Sequence, residues 1–128
     1  MSRGLADTSV FIARETSRAV RESLLPDELA VSVITIGELH AGVLAAVDTA
    51  TRQRRLSTLT GALALEPVPI DEAIAAAWAG LRLTLREHGF RMPVNDSWIA
   101  ATAIALSVPV VTQDDDFPPL DELDVIRV

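Results

Sequence analysis

The spacing of apolar residues changes several times along the chain, and each change predicts an element. Leu5 and Ala6 make a short apolar run that gives way to Asp7-Thr8-Ser9, residue types that favour a helix start, so a strand is expected to turn into a helix opening at Val10-Phe11-Ile12. A second helical piece over residues 19–25 stops at Pro26, because proline disfavours helical geometry in the residue before it. Residues 29–33 read as the next strand. From Ile34 the period becomes helical: Ile36, Leu39, Val43, Leu44 and Val47 recur at three- and four-residue steps, with Glu38 and Gly42 on a neighbouring face. Residues 51–65 predict a further helix, with Leu56, Leu59 and Leu63 inward and Arg52, Arg54 and Arg55 outward. These two helices should form an antiparallel pair.

Beyond them, residues 66–70 read as an edge-type strand, since Pro67 and Pro69 cannot donate to a ladder. Asp71 is placed to cap a long Ala-rich helix that ends near His88-Gly89, glycine being the usual left-handed stop. Asn95 is the expected cap of a helix over residues 96–106. Residues 108–112 form an apolar strand, followed by the acidic stretch Asp114-Asp115-Asp116, and residues 125–128 supply a last strand. Strands alternating with helices imply an α/β fold with a mostly parallel sheet.

Composition narrows the function. The 128 residues, 49% apolar, suit one domain with one core over 1–128. Aromatics are 4%, too few for a base-stacking platform of the kind single-strand readers use. The chain has no Cys, and all eleven bases are Arg, so thiol catalysis, thiolate metal sites, P-loop lysines and Schiff-base chemistry are excluded. No apolar run is long enough to span a bilayer, and no signal-type stretch follows Met1, so a cytoplasmic protein with no membrane partner is expected. A net charge of −7 argues against gripping nucleic acid by bulk electrostatics.

In an open parallel sheet, ligands collect at the carboxyl ends of strands. The polar residues expected there are acidic: Asp7, Glu38, Asp96 and Asp114 to Asp116. Bare carboxylates that converge repel one another and raise each other's pKa unless a cation balances them. Mg²⁺ or Mn²⁺ is the natural hard partner for such oxygens, and phosphodiester cleavage by metal-activated water is chemistry that needs no protein nucleophile.

Four stretches carry a resemblance: Leu5-Ala6-Asp7-Thr8-Ser9-Val10, Thr35-Ile36-Gly37-Glu38-Leu39, Asn95-Asp96-Ser97-Trp98-Ile99-Ala100-Ala101-Thr102-Ala103, and Val110-Val111-Thr112-Gln113-Asp114-Asp115-Asp116-Phe117. In this order and spacing they resemble the signature blocks of the PIN domain, nearest to the VapC-type toxins of bacterial toxin–antitoxin systems. The resemblance implies a three-layer fold with a central parallel sheet flanked by helices. It also implies a metal-dependent endoribonuclease, commonly a homodimer, inhibited by a VapB-type antitoxin. It implies that Asp7, Glu38, Asp96 and Asp114 bind metal and carry catalysis. Asp116 would act through water, while Ser9 and Thr112 would orient carboxylates or water. The triple Asp leaves the fourth ligand open between Asp114 and Asp116.

Plainer readings stand beside these. Asp7 and Asp96 could be helix caps, and Asp114 to Asp116 an acidic turn like Asp121, Glu122 and Asp124. Glu38, set among Thr35, Ile36 and Leu39, favours function, since a carboxylate in apolar company seldom lacks a partner. His40 points away from Glu38 on a helix, and His88 suits a helix C-terminus. Trp78 and Trp98 read as core or interface anchors, and the arginine groups 52/54/55 and 82/86/91 as solvated faces or phosphate guides. A receiver domain and a haloacid-dehalogenase-type phosphatase both require a Lys that the chain lacks. The remaining alternative is a PIN-like module that binds RNA or a partner without cleaving.

Overall fold

The computed structural model describes residues 1–128. In chain order it contains β1 (Arg3–Ala6), α1 (Thr8–Glu15), a single 3₁₀ turn (Glu22–Leu24), β2 (Glu28–Val31), α2 (Val33–Ala45), α3 (Thr49–Leu63), α4 (Glu72–His88), α5 (Val94–Leu106), β3 (Val110–Thr112) and β4 (Val125–Arg127). The four strands form one sheet in the order β2-β1-β3-β4, every neighbouring pair parallel. From β1 the chain steps outward to β2, and from β3 outward the opposite way to β4. The reversal falls between β1 and β3, the place where an open α/β sheet leaves a crevice beyond its strand ends.

Alternation along the strands builds the layers. On β1, Leu5 packs with α4 and α5, whereas its neighbour Ala6 packs with Val10 of α1; Val110 and Val111 of β3 divide in the same way. A third cluster, Val31, Ile36, Leu39, Leu59 and Ala62, joins α2 to α3. Sheet and helices thus stack as the expected three-layer α/β arrangement. Gly4 is required by closeness: a Cβ there would lie 2.8 Å from both Pro26 Cγ and Val111 Cγ2.

α5 is enclosed on almost every side, with Ile99, Ala100, Ala101 and Ala103 fully buried. Small side chains let it sit close to α4 and the sheet. Trp78 of α4 stacks flat on Trp98 of α5, with ring centroids 4.3 Å apart and planes 2° from parallel, and its Nε1 donates to Ser97 Oγ at 2.9 Å. Both tryptophans are therefore the packing anchors expected from sequence.

Several expectations need correction. The predicted helix over 19–25 is only the 3₁₀ turn, and residues 66–70 form no strand: Val68 alone makes a bridge, its N–H donating to Val31 and its carbonyl accepting from Val33. Prolines on both sides of Val68 stop that bridge from extending. Val33 belongs to α2, and Ser32 caps that helix by accepting a 3.0 Å bond from the Ile34 N–H. α5 starts at Val94 with Pro93 at its N-cap position, so Asn95 lies inside the first turn and is not the cap. Leu44 and Val47 are 82% and 96% exposed: Leu44 faces outward from the last turn of α2, and Val47 falls beyond the helix, which ends at Ala45. Leu56 and Leu63 are likewise exposed, leaving Leu59 as the buried leucine of α3.

Candidate functional site

Asp7 follows the last residue of β1 and is 2% exposed. It occupies the N-cap position of α1, but its side chain makes no capping bond. Its Oδ2 instead accepts from two hydroxyls, Ser9 Oγ at 2.8 Å and Thr112 Oγ1 at 2.9 Å. Each hydroxyl also accepts a backbone N–H, Ser9 from Gln113 and Thr112 from Asp114, both at 3.0 Å. The carboxylate of β1 and the loop leaving β3 are thereby fixed to one another across the reversal point. Burial pushes the Asp7 carboxyl above its ordinary value, although both hydroxyls pull it down.

Glu38, one turn into α2, is held by a hydroxyl chain. Thr8 Oγ1 donates to Glu38 Oε1 at 2.7 Å, and since that uses its only proton, Thr35 Oγ1 must be the donor across the 2.9 Å Thr35–Thr8 contact. Thr35 is fully buried. Asp96 lies in the first turn of α5, also off the cap position. Burial first, then the charges of Asp7, Asp116, Glu38 and Asp114, push its pKa up to about 7. Asp114 is raised too, by burial and by Asp7 and Asp116, with Arg18 opposing. The three consecutive aspartates part company: Asp114 and Asp116 face the cavity, while Asp115 is almost fully exposed and pairs with Arg127 Nε at 3.0 Å.

Asp7, Ser9, Glu38, Asp96, Asp114 and Asp116 thus line a single open cavity of roughly 430 Å³, with Thr8, Thr16, Arg18, Pro93 and Asn95 on the same wall. Thr112 stands behind Asp7, buried. Every site residue expected from sequence is brought to this place. Sequence reasoning missed Thr8, Thr35, Arg18 and Asn95. Thr35 was within reach, being three residues before Glu38 and so on its helix face; Arg18, the one cation on the wall, gave no signal.

The donor set is all oxygen and anionic, the chemistry of a hard divalent cation. No three of these carboxylates lie at mutual coordination distance as the side chains stand. Binding a cation requires them to close in, as expected for like charges that now repel. The residues fit Mg²⁺ or Mn²⁺ by chemistry and by shared cavity.

Residues 5–123 match the PIN domain family. The chain belongs to that family. This PIN domain is similar to Ribonuclease VapC5 of Mycobacterium tuberculosis, 48% identical over 98% of the chain and 95% of that protein. It is similar also to Ribonuclease VapC4 of the same organism, 47% identical over 98% of the chain and 97% of that protein. Its fold matches the crystal structure of VapBC-5, a member of the VapBC family of toxin-antitoxin systems from Mycobacterium tuberculosis, with a TM-score of 0.91, 46% identity and complete coverage of both chains. No helix of this PIN domain is long and apolar enough to cross a membrane.

Proposed function

We propose that the chain is the ribonuclease toxin of a type II toxin–antitoxin pair, a single domain over 1–128 that hydrolyses RNA phosphodiesters with Mg²⁺ or Mn²⁺. One observation carries the reading: five carboxylates from four separate stretches face one cavity, and burial together with the neighbouring acids pushes Asp96 up to about 7. Such an arrangement costs folding energy unless a cation offsets it. The kinship with proteins named ribonucleases and with a toxin–antitoxin structure supplies the substrate class and the partner.

Asp7, Glu38, Asp96 and Asp114 are assigned to hold the ion, and Asp116 to act through a water. A bound divalent ion supplies positive charge for the phosphate and acidifies water next to it. Ser9 and Thr112 keep Oδ2 of Asp7 pointing to its work, and Thr8 does the same for Oε1 of Glu38. Asp96, raised to about 7, would have to be ionised to serve as a ligand. The hydroxyls on the wall are engaged, Ser9 with Asp7, Thr8 with Glu38 and Thr16 with the Ile12 carbonyl, and His40 and His88 lie outside the wall. Hydrolysis therefore draws on water. A VapB-type antitoxin, a homodimer and a cytoplasmic setting follow from the same reading.

The test is cleavage of total RNA by purified protein, with EDTA and then Mg²⁺ or Mn²⁺ added back, alongside Asp7→Ala and Asp96→Ala. Cleavage that depends on the metal and is lost in both variants is expected; chelator-resistant cleavage, or full activity in either variant, would overturn it.

A further inference from the structure

We infer that the cleft between the end of α4 and the following turn, walled by Arg82, Arg86, Phe90 and Arg91, is a subsite for backbone phosphates of single-stranded RNA, beside the acidic cavity. The inference rests on the ribonuclease reading and gives it a place for the substrate's flank. A polyanion gains nothing from a wall of carboxylates, and the acidic cavity carries one cation, Arg18. Affinity must come from elsewhere on a chain whose net charge is −7.

Most other arginines are occupied. Arg3, Arg14 and Arg127 are in ion pairs, while Arg52 and Arg55 donate to the carbonyls of Ala46 and Gly42. Arg82, Arg86 and Arg91 have no such partners, and their cleft, of about 290 Å³, is lined without a single carboxylate. Arg82 and Arg86 are four residues apart on α4, a spacing at which like charges destabilise a helix. Basic residues favour a helix C-terminus, which accounts for Arg86 but not for Arg82, farther back, nor for Arg91, beyond the helix. The Arg82 guanidinium carbon lies 5.3 Å from the Trp78 ring centroid, a cation–π contact that holds the charge at the cleft, and Phe90, with one face stacked on His88, lines the same cleft.

Position links the cleft to the site. Arg91 and Met92 line the cleft, and Pro93, Asn95 and Asp96 line the acidic cavity. Two residues of chain span at most about 7 Å, so Arg91 of the cleft and Pro93 of the acidic cavity are held close along the backbone. A single strand that crosses the carboxylates and follows the chain from Pro93 back to Arg91 would bring its flanking phosphates to these arginines.

The experiment measures binding of a fluorescein-labelled single-stranded 12-mer RNA by anisotropy across a salt series, for the wild type, Arg86→Ala/Arg91→Ala, the charge-keeping Arg86→Lys/Arg91→Lys, and Arg54→Ala as a control on α3. Circular dichroism melts check folding, and cleavage is followed in parallel. The double alanine variant should bind about tenfold more weakly at 0.1 M salt, and the slope of log K against log[salt] should fall by about 0.7 for each phosphate left without its arginine. The lysine variant should restore the slope, and Arg54→Ala should leave it unchanged. A wild type that cleaves RNA, with an alanine variant of unaltered slope, overturns the cleft and leaves the ribonuclease reading standing. An unaltered RNA slope with weakened binding of an acidic peptide overturns it in favour of a protein ligand. A wild type that neither binds nor cleaves RNA removes both readings.

Discussion

The Thr112 hydroxyl lies 2.9 Å from Oδ2 of Asp7, joining residues 105 positions apart at the point where the sheet reverses. The bond fixes the orientation of the most buried carboxylate of the site and, through the Asp114 N–H that Thr112 also accepts, the start of the acidic loop.

Replacing Thr112 by the isosteric Val removes both bonds at little change in volume. Stability should drop by about 1–3 kcal/mol, read from urea unfolding. The kcat for RNA should fall by roughly 10–100-fold, as when a supporting group behind a metal ligand is removed. Asp7 also loses a bond that lowers its pKa, so the acid limb of the rate profile should move to higher pH. An unchanged profile would separate Thr112 from the reaction.

Thr8→Val cuts the chain between Thr35 and Glu38, while Thr8→Ser keeps a hydroxyl. Half-saturation by Mn²⁺, followed by its effect on the melting temperature, should rise about 10–100-fold in the Val variant and recover in the Ser variant. Equal behaviour of the two variants would show that only the side-chain shape matters.

Asp96 sets a pH dependence with a definite sign. Its folded pKa, about 7, stands above the ordinary value of 3.8, so between these limits the folded protein binds more protons than the unfolded chain. Stability of the metal-free protein from this group is therefore greatest at low pH and is lost as pH rises through about 7. Asp96→Asn should remove that decline and stabilise the metal-free protein at pH 8 by roughly 1–2 kcal/mol, a value discounted for screening in an open cavity. Thermal melts at pH 5.5, 7 and 8 with EDTA check this; a wild type gaining stability from pH 6 to 8 relative to the variant would reverse the sign.

Gly4→Ala tests the seam between β1 and its neighbours. The added methyl would meet Pro26 and Val111 at 2.8 Å, so overpacking should cost about 1–3 kcal/mol in urea unfolding. A neutral substitution would mean that the seam yields easily.

Asp7, Asp96 and Asp114 were legible because each sits close to a strand end or a helix start, which local sequence marks, and Glu38 because a carboxylate set among apolar residues of a helix calls for a partner. The parallel α/β arrangement was legible because strands alternate with helices along the chain, whereas the division of Leu5/Ala6 and Val110/Val111 between opposite faces is visible only in the fold. The Thr35–Thr8–Glu38 chain was not, since Thr8 and Thr35 meet only through the approach of α1 to α2. Leu44 misled for a related reason, since period says which way a side chain points on a helix and not whether anything lies opposite, and Val47 misled because the helix ends before it. The Val68 bridge shows the limit of strand propensity when flanking prolines deny it a ladder.

The buried alanines of α5 have a mechanical consequence. Alanine has no side-chain torsion to adjust, so the helix cannot absorb a displacement by repacking its own side chains. α5 behaves as a stiff mast with Asp96 near its foot. Trp98 is two residues from Asp96 on the same helix, so a substitution on α4 that displaces Trp78 is expected to shift that carboxylate without touching it.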